Sequence, residues 1–227
     1  FVGNAAILDG FTISGGNATG NNNLSAVGYG NIDRRRGGGQ ICRNADMTIS
    51  NCIFKHNQAL IGGGGQQNLA GSDLSMTNCV FESNVNTNSN LGTNIGGGGQ
   101  SNINSSPTLN ACLFLNNRSN SFGGGQHNNN AAPTLFGCIF EGNDANSFEG
   151  GGQMNYTNGN SININCLFVN NNSQGDGSGS SLGGNVSTRT STVQYRNCTF
   201  GVTNSFHNIQ IVINSTAILD NCMVIGR

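Results

Sequence analysis

With only ten acidic residues in 227, every candidate for carboxylate chemistry can be weighed singly. Cleavage of a glycosidic bond takes two carboxyl groups, one protonating the leaving oxygen and one acting as base or nucleophile. The best cluster contains Glu82 and Glu141, each directly after a phenylalanine, with Lys55 and Leu115 in the equivalent places of related segments. Seven of the eight cysteines recur in one phrase, but none forms the close Cys pair that a structural metal site wants. His56, His127 and His207 take three different places relative to that phrase, so no shared ligand face emerges. Asp176, in Gly175-Asp-Gly-Ser-Gly179, has the residue types of a glycine–aspartate calcium loop without its nine-residue period. Arg34, Arg35 and Arg36 form the one basic run, which reads as a solvated loop or a small polyanion site. Neither metal nor cofactor is expected.

The elements that carry these residues follow from the repeated phrase. It reads Ile49-Ser-Asn-Cys-Ile-Phe54, Met76-Thr-Asn-Cys-Val-Phe81 and Leu109-Asn-Ala-Cys-Leu-Phe114. It returns as Leu135-Phe-Gly-Cys-Ile-Phe140, Asn163-Ile-Asn-Cys-Leu-Phe168, Tyr195-Arg-Asn-Cys-Thr-Phe200 and Leu219-Asp-Asn-Cys-Met-Val224. Leu8-Asp-Gly-Phe-Thr-Ile13 fits the same frame, with Phe11 in the cysteine place. The cysteine spacings after the first copy are 27, 33, 26, 28, 32 and 24. Self-similarity at such periods is the mark of a stacked repeat.

The cysteine and the aromatic two residues later share one face of a short strand, and both are apolar, so that face points inward. The residue before each cysteine is Gly or Asn in all copies but one, where it is Ala111; Gly and Asn tolerate a left-handed backbone, so the column marks a bend. Asn57, Asn84, Asn117, Asn143 and Asn171, three residues after the aromatic, read as a second bend of the same kind. A further strand is expected at each Gly-Gly-Gly-Gln, ending at Gln40, Gln66, Gln100, Gln126 and Gln153. Pro107 and Pro133 stand just ahead of Thr-Leu pairs, where a fixed φ and a missing N–H suit a strand's first residue.

The expected fold is therefore all-β: a right-handed, single-stranded parallel β-helix of about eight coils, three short strands to a coil, over residues 1–227 as one domain. Right-handedness follows from the strong bias of parallel crossovers. Stacking places Phe on Phe and Cys on Cys at about 4.8 Å. Glu82 and Glu141 then sit two coils apart, about 9.6 Å, at the upper limit for an inverting hydrolase. In-register cysteines keep their Cβ atoms farther apart than a disulfide's usual 3.5–4.5 Å, which favours buried free thiols over bridges or metal. Consecutive glycines need an explanation. Either coil walls converge there, or a flat strip flanked by the five glutamine amides seats a glycan.

Composition removes several classes. Hydrophobic residues are 35% and charged residues 8%, against about 45–50% and about 25% in ordinary domains. The 36 glycines and 41 asparagines disfavour long helices. A net charge of -1 without a basic stripe argues against nucleic acid, and no apolar run reaches the roughly 20 residues of a membrane span. Copy-to-copy length differences, above all Asn17 to Arg36, read as surface loops.

The unit Gly-Gly-Gly-Gln, about eight polar residues, Pro-Thr-Leu-x-x-Cys-x-Phe-x-x-Asn resembles right-handed parallel β-helix repeats of bacterial cell surfaces. The opening Ile7-Leu-Asp-Gly-Phe-Thr-Ile-Ser-Gly-Gly-Asn-Ala18 looks like the first coil of long secreted β-helix proteins of Bacteroidota. The Gly-Gly-Gly-x and Phe-x-x-Asn pair is similar to repeats of chlamydial polymorphic outer-membrane proteins. The resemblance implies an exported, extracellular or cell-surface protein, of which this chain, starting at Phe1 without a visible signal peptide, is expected to be a segment. The shortage of ionisable groups, with every strongly repeated residue explained by folding, points to a non-catalytic structural or adhesin module whose partners are a glycan, a cell-surface protein or neighbouring domains. The alternative is a fragment of a polysaccharide lyase or glycoside hydrolase of the pectate-lyase-like type, resting on Glu82 and Glu141.

Overall fold

The computed structural model describes residues 6–20, 23–26, 30–89, 95–174, 183–203, 205 and 207–226. Among them there is no helix; the chain winds through strands of two to seven residues. One coil runs Gln40–Arg43, Thr48–Ser50, Ile53–Lys55 and Gln58–Ala59; the next runs Gln66–Leu69, Ser75–Thr77, Val80–Glu82 and Val85–Asn86. Each strand pairs in parallel with its counterpart one coil away: Gln66 with Gln40, Met76 with Ile49, Phe81 with Phe54, Asn86 with Ala59. The result is a parallel β-helix with four walls, containing 7, 8, 8 and 6 strands in that order. We call them the glutamine, threonine, phenylalanine and short sheets.

Two expectations need correction here. A coil has four strands, not three, because Gln58–Ala59 and its equivalents form a wall of their own. Two residues without a hydrophobic pattern leave no strand signature. The glycine triplets are also not strands. The regular strand begins at the glutamine, and the glycines, bonded coil to coil through their backbones, form the corner leading into it. There the coil walls do converge: a Cβ on Gly98 would lie 2.5 Å from the carbonyl oxygens of both Arg118 and Gly124. No side chain fits between those backbones.

The interior is a set of columns. Phe54, Phe81, Phe114, Phe140, Phe168 and Phe200 are fully buried, and successive rings stack at 4.9, 4.8, 4.5, 4.8 and 5.3 Å between centroids. Each such ring is worth about 1.5–3 kcal/mol in burial, and each aromatic pair about 0.5–1.5 kcal/mol more. Ile49, Met76, Leu109 and Leu135 line the threonine sheet's inner face, with Cys52 to Cys198 beside them. All eight cysteines are free thiols, and Cys42 is buried.

Corners follow the left-handed rule only in part. Asn51, Asn78, Ala111, Gly137, Asn165 and Asn197 have φ between 49° and 58°, as their place before the cysteine predicts. At the second corner the left-handed residue is not Asn57, Asn84 or Asn117 but the one before each: His56, Ser83 and Asn116, at 53°, 52° and 52°. The asparagines themselves turn inward. Asn84 Nδ2 donates to Asn117 Oδ1 at 3.0 Å and to the Phe54 carbonyl at 2.8 Å, and Asn117 repeats the pattern toward Asn143 and Phe81. The first insertion, expected as a loop, contains an antiparallel pair, Leu24–Ala26 with Gly30–Ile32.

Candidate functional site

The five glutamines proposed for a binding face point into the coil. Gln66, Gln100, Gln126 and Gln153 are completely buried, and Gln40 is half-buried. Each donates its amide N–H to the carbonyl oxygen of the preceding one: Gln66 to Gln40 at 2.8 Å, Gln100 to Gln66 at 2.7 Å, Gln126 to Gln100 at 2.8 Å and Gln153 to Gln126 at 2.9 Å. Asn68, Asn102, Asn128 and Asn155 form a parallel ladder two residues on. A polar group this deep is tolerated only when its hydrogen bonds are met, and here the same residue one coil away meets them. These amides are thus an internal seam and present no surface to a ligand.

Glu82 and Glu141 do lie in one outward column of the phenylalanine sheet, in the order Lys55, Glu82, Leu115, Glu141, Val169. Glu82 is half-buried and Glu141 exposed. Leu115 separates them, and the column beside them is aliphatic: Ile53, Val80, Leu113, Ile139 and Leu167. The hydrogen-bonding groups of this wall, Lys55, Glu82 and Glu141, thus stand among aliphatic side chains.

The other candidates are dispersed. No group of three or more His, Cys, Asp or Glu side chains suited to a metal occurs among the described residues. His56 sits in a corner and is exposed, as is His207. Asp33 ties down two members of the basic run: its carboxylate meets Arg35 Nε at 2.8 Å and Arg36 Nε at 3.4 Å. Hydrogen bonding to Arg35 holds the Asp33 carboxyl below its ordinary range. Asp176 lies outside the described residues. Sulfur contacts link Cys79, Cys112 and Cys138, and contact with Cys112, with burial added, raises the Cys79 and Cys138 thiols above their ordinary range. Burial pushes the Cys42 thiol up to about 12.

One cluster escaped the repeat-based reading. On the outer side of the glutamine sheet, Phe122, Phe148 and Met154 form a small second core with Tyr156 packed against it. Phe122 stands 5.0 Å from the Phe148 ring, 5.6 Å from Tyr156 and 6.0 Å from His127. His127 is fully buried, neither ring nitrogen has a hydrogen-bond partner, and burial pushes its pKa down to about 4. Beside this core the buried Glu149 carboxylate pairs with Arg189 and accepts a 2.8 Å hydrogen bond from Ser187 Oγ. Arg189 lies over the Tyr156 ring at 6.0 Å. The sequence did hold a signal: Phe122 directly precedes one glycine triplet, and Phe148 precedes another by two residues. Chemically the cluster is an ion pair between a buried carboxylate and a half-buried guanidinium, flanked by aromatic rings.

No family model matches this chain, and no curated protein does.

Proposed function

We propose that this chain is a non-catalytic structural or adhesive module of a secreted or cell-surface protein, a rigid rod that presents its outward columns and inserted loops to a partner. One observation carries the reading: the recurring polar side chains, Gln66 to Gln153 and Asn57 to Asn171, are occupied in bonding their own counterparts along the axis. Selection for such residues is explained by the rod itself. Support also comes from the outward column of the phenylalanine sheet, where Leu115 separates Glu82 from Glu141. Binding, with the amide seam inside, is assigned to the outer faces and corners rather than to the glutamines.

The test is paired. Soluble polysaccharides are incubated with the wild type and with Glu82→Gln and Glu141→Gln, and the same proteins are applied to glycan and cell-surface arrays. The expected outcome is no turnover by any of the three and array binding unaffected by either substitution. Turnover that disappears in either variant overturns the non-catalytic reading in favour of a polysaccharide-degrading one.

A further inference from the structure

A strand with one face in the core ordinarily turns polar residues outward. The phenylalanine sheet departs from this in the middle of the rod. Its outer face carries Ile53, Val80, Leu113, Ile139 and Leu167 in one column, all half-buried, and Leu115 and Val169 extend the stripe into the next. On the same coils the outer face of the threonine sheet bears Thr48, Ser50, Ser75, Thr77, Thr108 and Asn110. The aliphatic stripe is therefore a feature of one wall and not of the coil. A contiguous apolar patch rimmed by polar residues marks an interaction surface.

The charges on that wall specify what fits. Lys55 is the single lysine of the chain, and it shares an outward column with Glu82, Leu115 and Glu141 in that order. Lys55 and Glu141 thus lie symmetrically about the boundary between the Val80 coil and the Leu113 coil. A cation and an anion placed evenly about one line match the same wall turned end for end.

We propose that a second copy of this chain packs face to face on this wall, the two rods antiparallel and the twofold axis running along the strands between the coils of Val80 and Leu113. In that register Ile53 stands opposite Ile139 of the second copy, Val80 opposite Leu113, and Lys55 opposite Glu141, each pairing occurring twice. Glu82 faces Leu115 and keeps Lys55 of its own chain one coil away. Packed sheets lie about 10 Å apart, a gap that an extended lysine and glutamate span together. Other arrangements fit less well. Moving the axis half a coil brings Glu82 against Glu141 in one direction and against itself in the other, like charge on like. A whole-coil shift that pairs Lys55 with Glu82 sets Thr12 in place of Val80 against Leu113. An axis along the rods sets each charge against its own like or an aliphatic residue. The chosen arrangement is isologous and closed, and further coils at either end of the rod would leave it intact. Six coils of overlap bury roughly 1,000 Å² in total, the lower bound for a specific interface, so the dimer forms in the micromolar range.

Sedimentation at rising micromolar concentration should show the mass climbing from 23.5 kDa toward twice that value. Lys55→Glu or Glu141→Lys alone should weaken association at least about tenfold, because like charges then meet at both ends of the interface. The double variant should restore it, with circular dichroism unaltered throughout. A carbodiimide, which joins amine to carboxylate without a spacer, should yield a Lys55–Glu141 linked peptide from the wild type. Within one chain these residues stand three coils apart, about 14 Å, beyond the joint reach of their side chains, so the link can come only from two copies. A monomer at every concentration up to the solubility limit overturns the proposal. So do single reversals that leave association unchanged, a folded double variant that stays monomeric, or a dimer that gives no Lys55–Glu141 peptide.

Discussion

His127 offers a direct test of how the second core is built. Its imidazole is fully buried against Phe122, and neither nitrogen is hydrogen-bonded. Burial alone pushes its pKa from 6.5 down to about 4. The folded value lies below the unfolded one, so protons bind the unfolded chain more tightly. The contribution of neutral His127 is therefore complete above pH 6.5, is lost progressively as the pH falls toward 4, and changes no further below that. At about 1.4 kcal/mol per pH unit, the loss comes to about 3 kcal/mol. His127→Phe removes both nitrogens and keeps an aromatic ring beside Phe122. Urea unfolding of the two proteins should show the stability difference moving by about 3 kcal/mol in favour of the variant between pH 6.5 and pH 4. Any packing strain from the larger ring is the same at both pH values and cancels from this comparison. A difference that stays constant over that range would show that the imidazole is hydrated or already charged, and the dry, unpaired environment would be refuted.

Two further outcomes probe the columns. Asn117→Ala deletes the oxygen that serves the Asn84 backbone N–H and Nδ2, and the amide that serves the Phe81 carbonyl. The Asn84 N–H is left without a partner at about 1–3 kcal/mol and two further bonds to buried groups are lost at about 0.5–1.5 kcal/mol each, which predicts a loss of about 2–6 kcal/mol in denaturant titration. Gly98→Ala forces a methyl to within 2.5 Å of two backbone carbonyl oxygens and should cost more than the about 1–3 kcal/mol usual for overpacking. Gly71→Ala, at φ +77° with open space around it, should cost only the left-handed backbone penalty of about 1–2 kcal/mol, so thermal melts should rank the two variants far apart.

The legibility of this chain depended on how many independent constraints each column carried. Phe54, Phe81 and Phe114 were readable because period-two burial and exact repetition said the same thing, and their rings do stack. Asn57, Asn84 and Asn117 were misplaced because asparagine satisfies two roles equally well in isolation, a left-handed corner and a bonded interior amide. The true corner residues, His56, Ser83 and Asn116, share no residue type that repetition could reveal. The glutamines were misread for a deeper reason. Hydropathy ranks a residue by its transfer from water as a single group, and a lone Gln100 in this interior would be costly. Its amide is satisfied because Gln66 and Gln126 stand one coil to either side with matching donor and acceptor. Burial of a polar residue in a stacked repeat is thus a property of the column and not of the residue. The small apolar fraction is the consequence: amide columns complete an interior that hydrophobic side chains fill elsewhere.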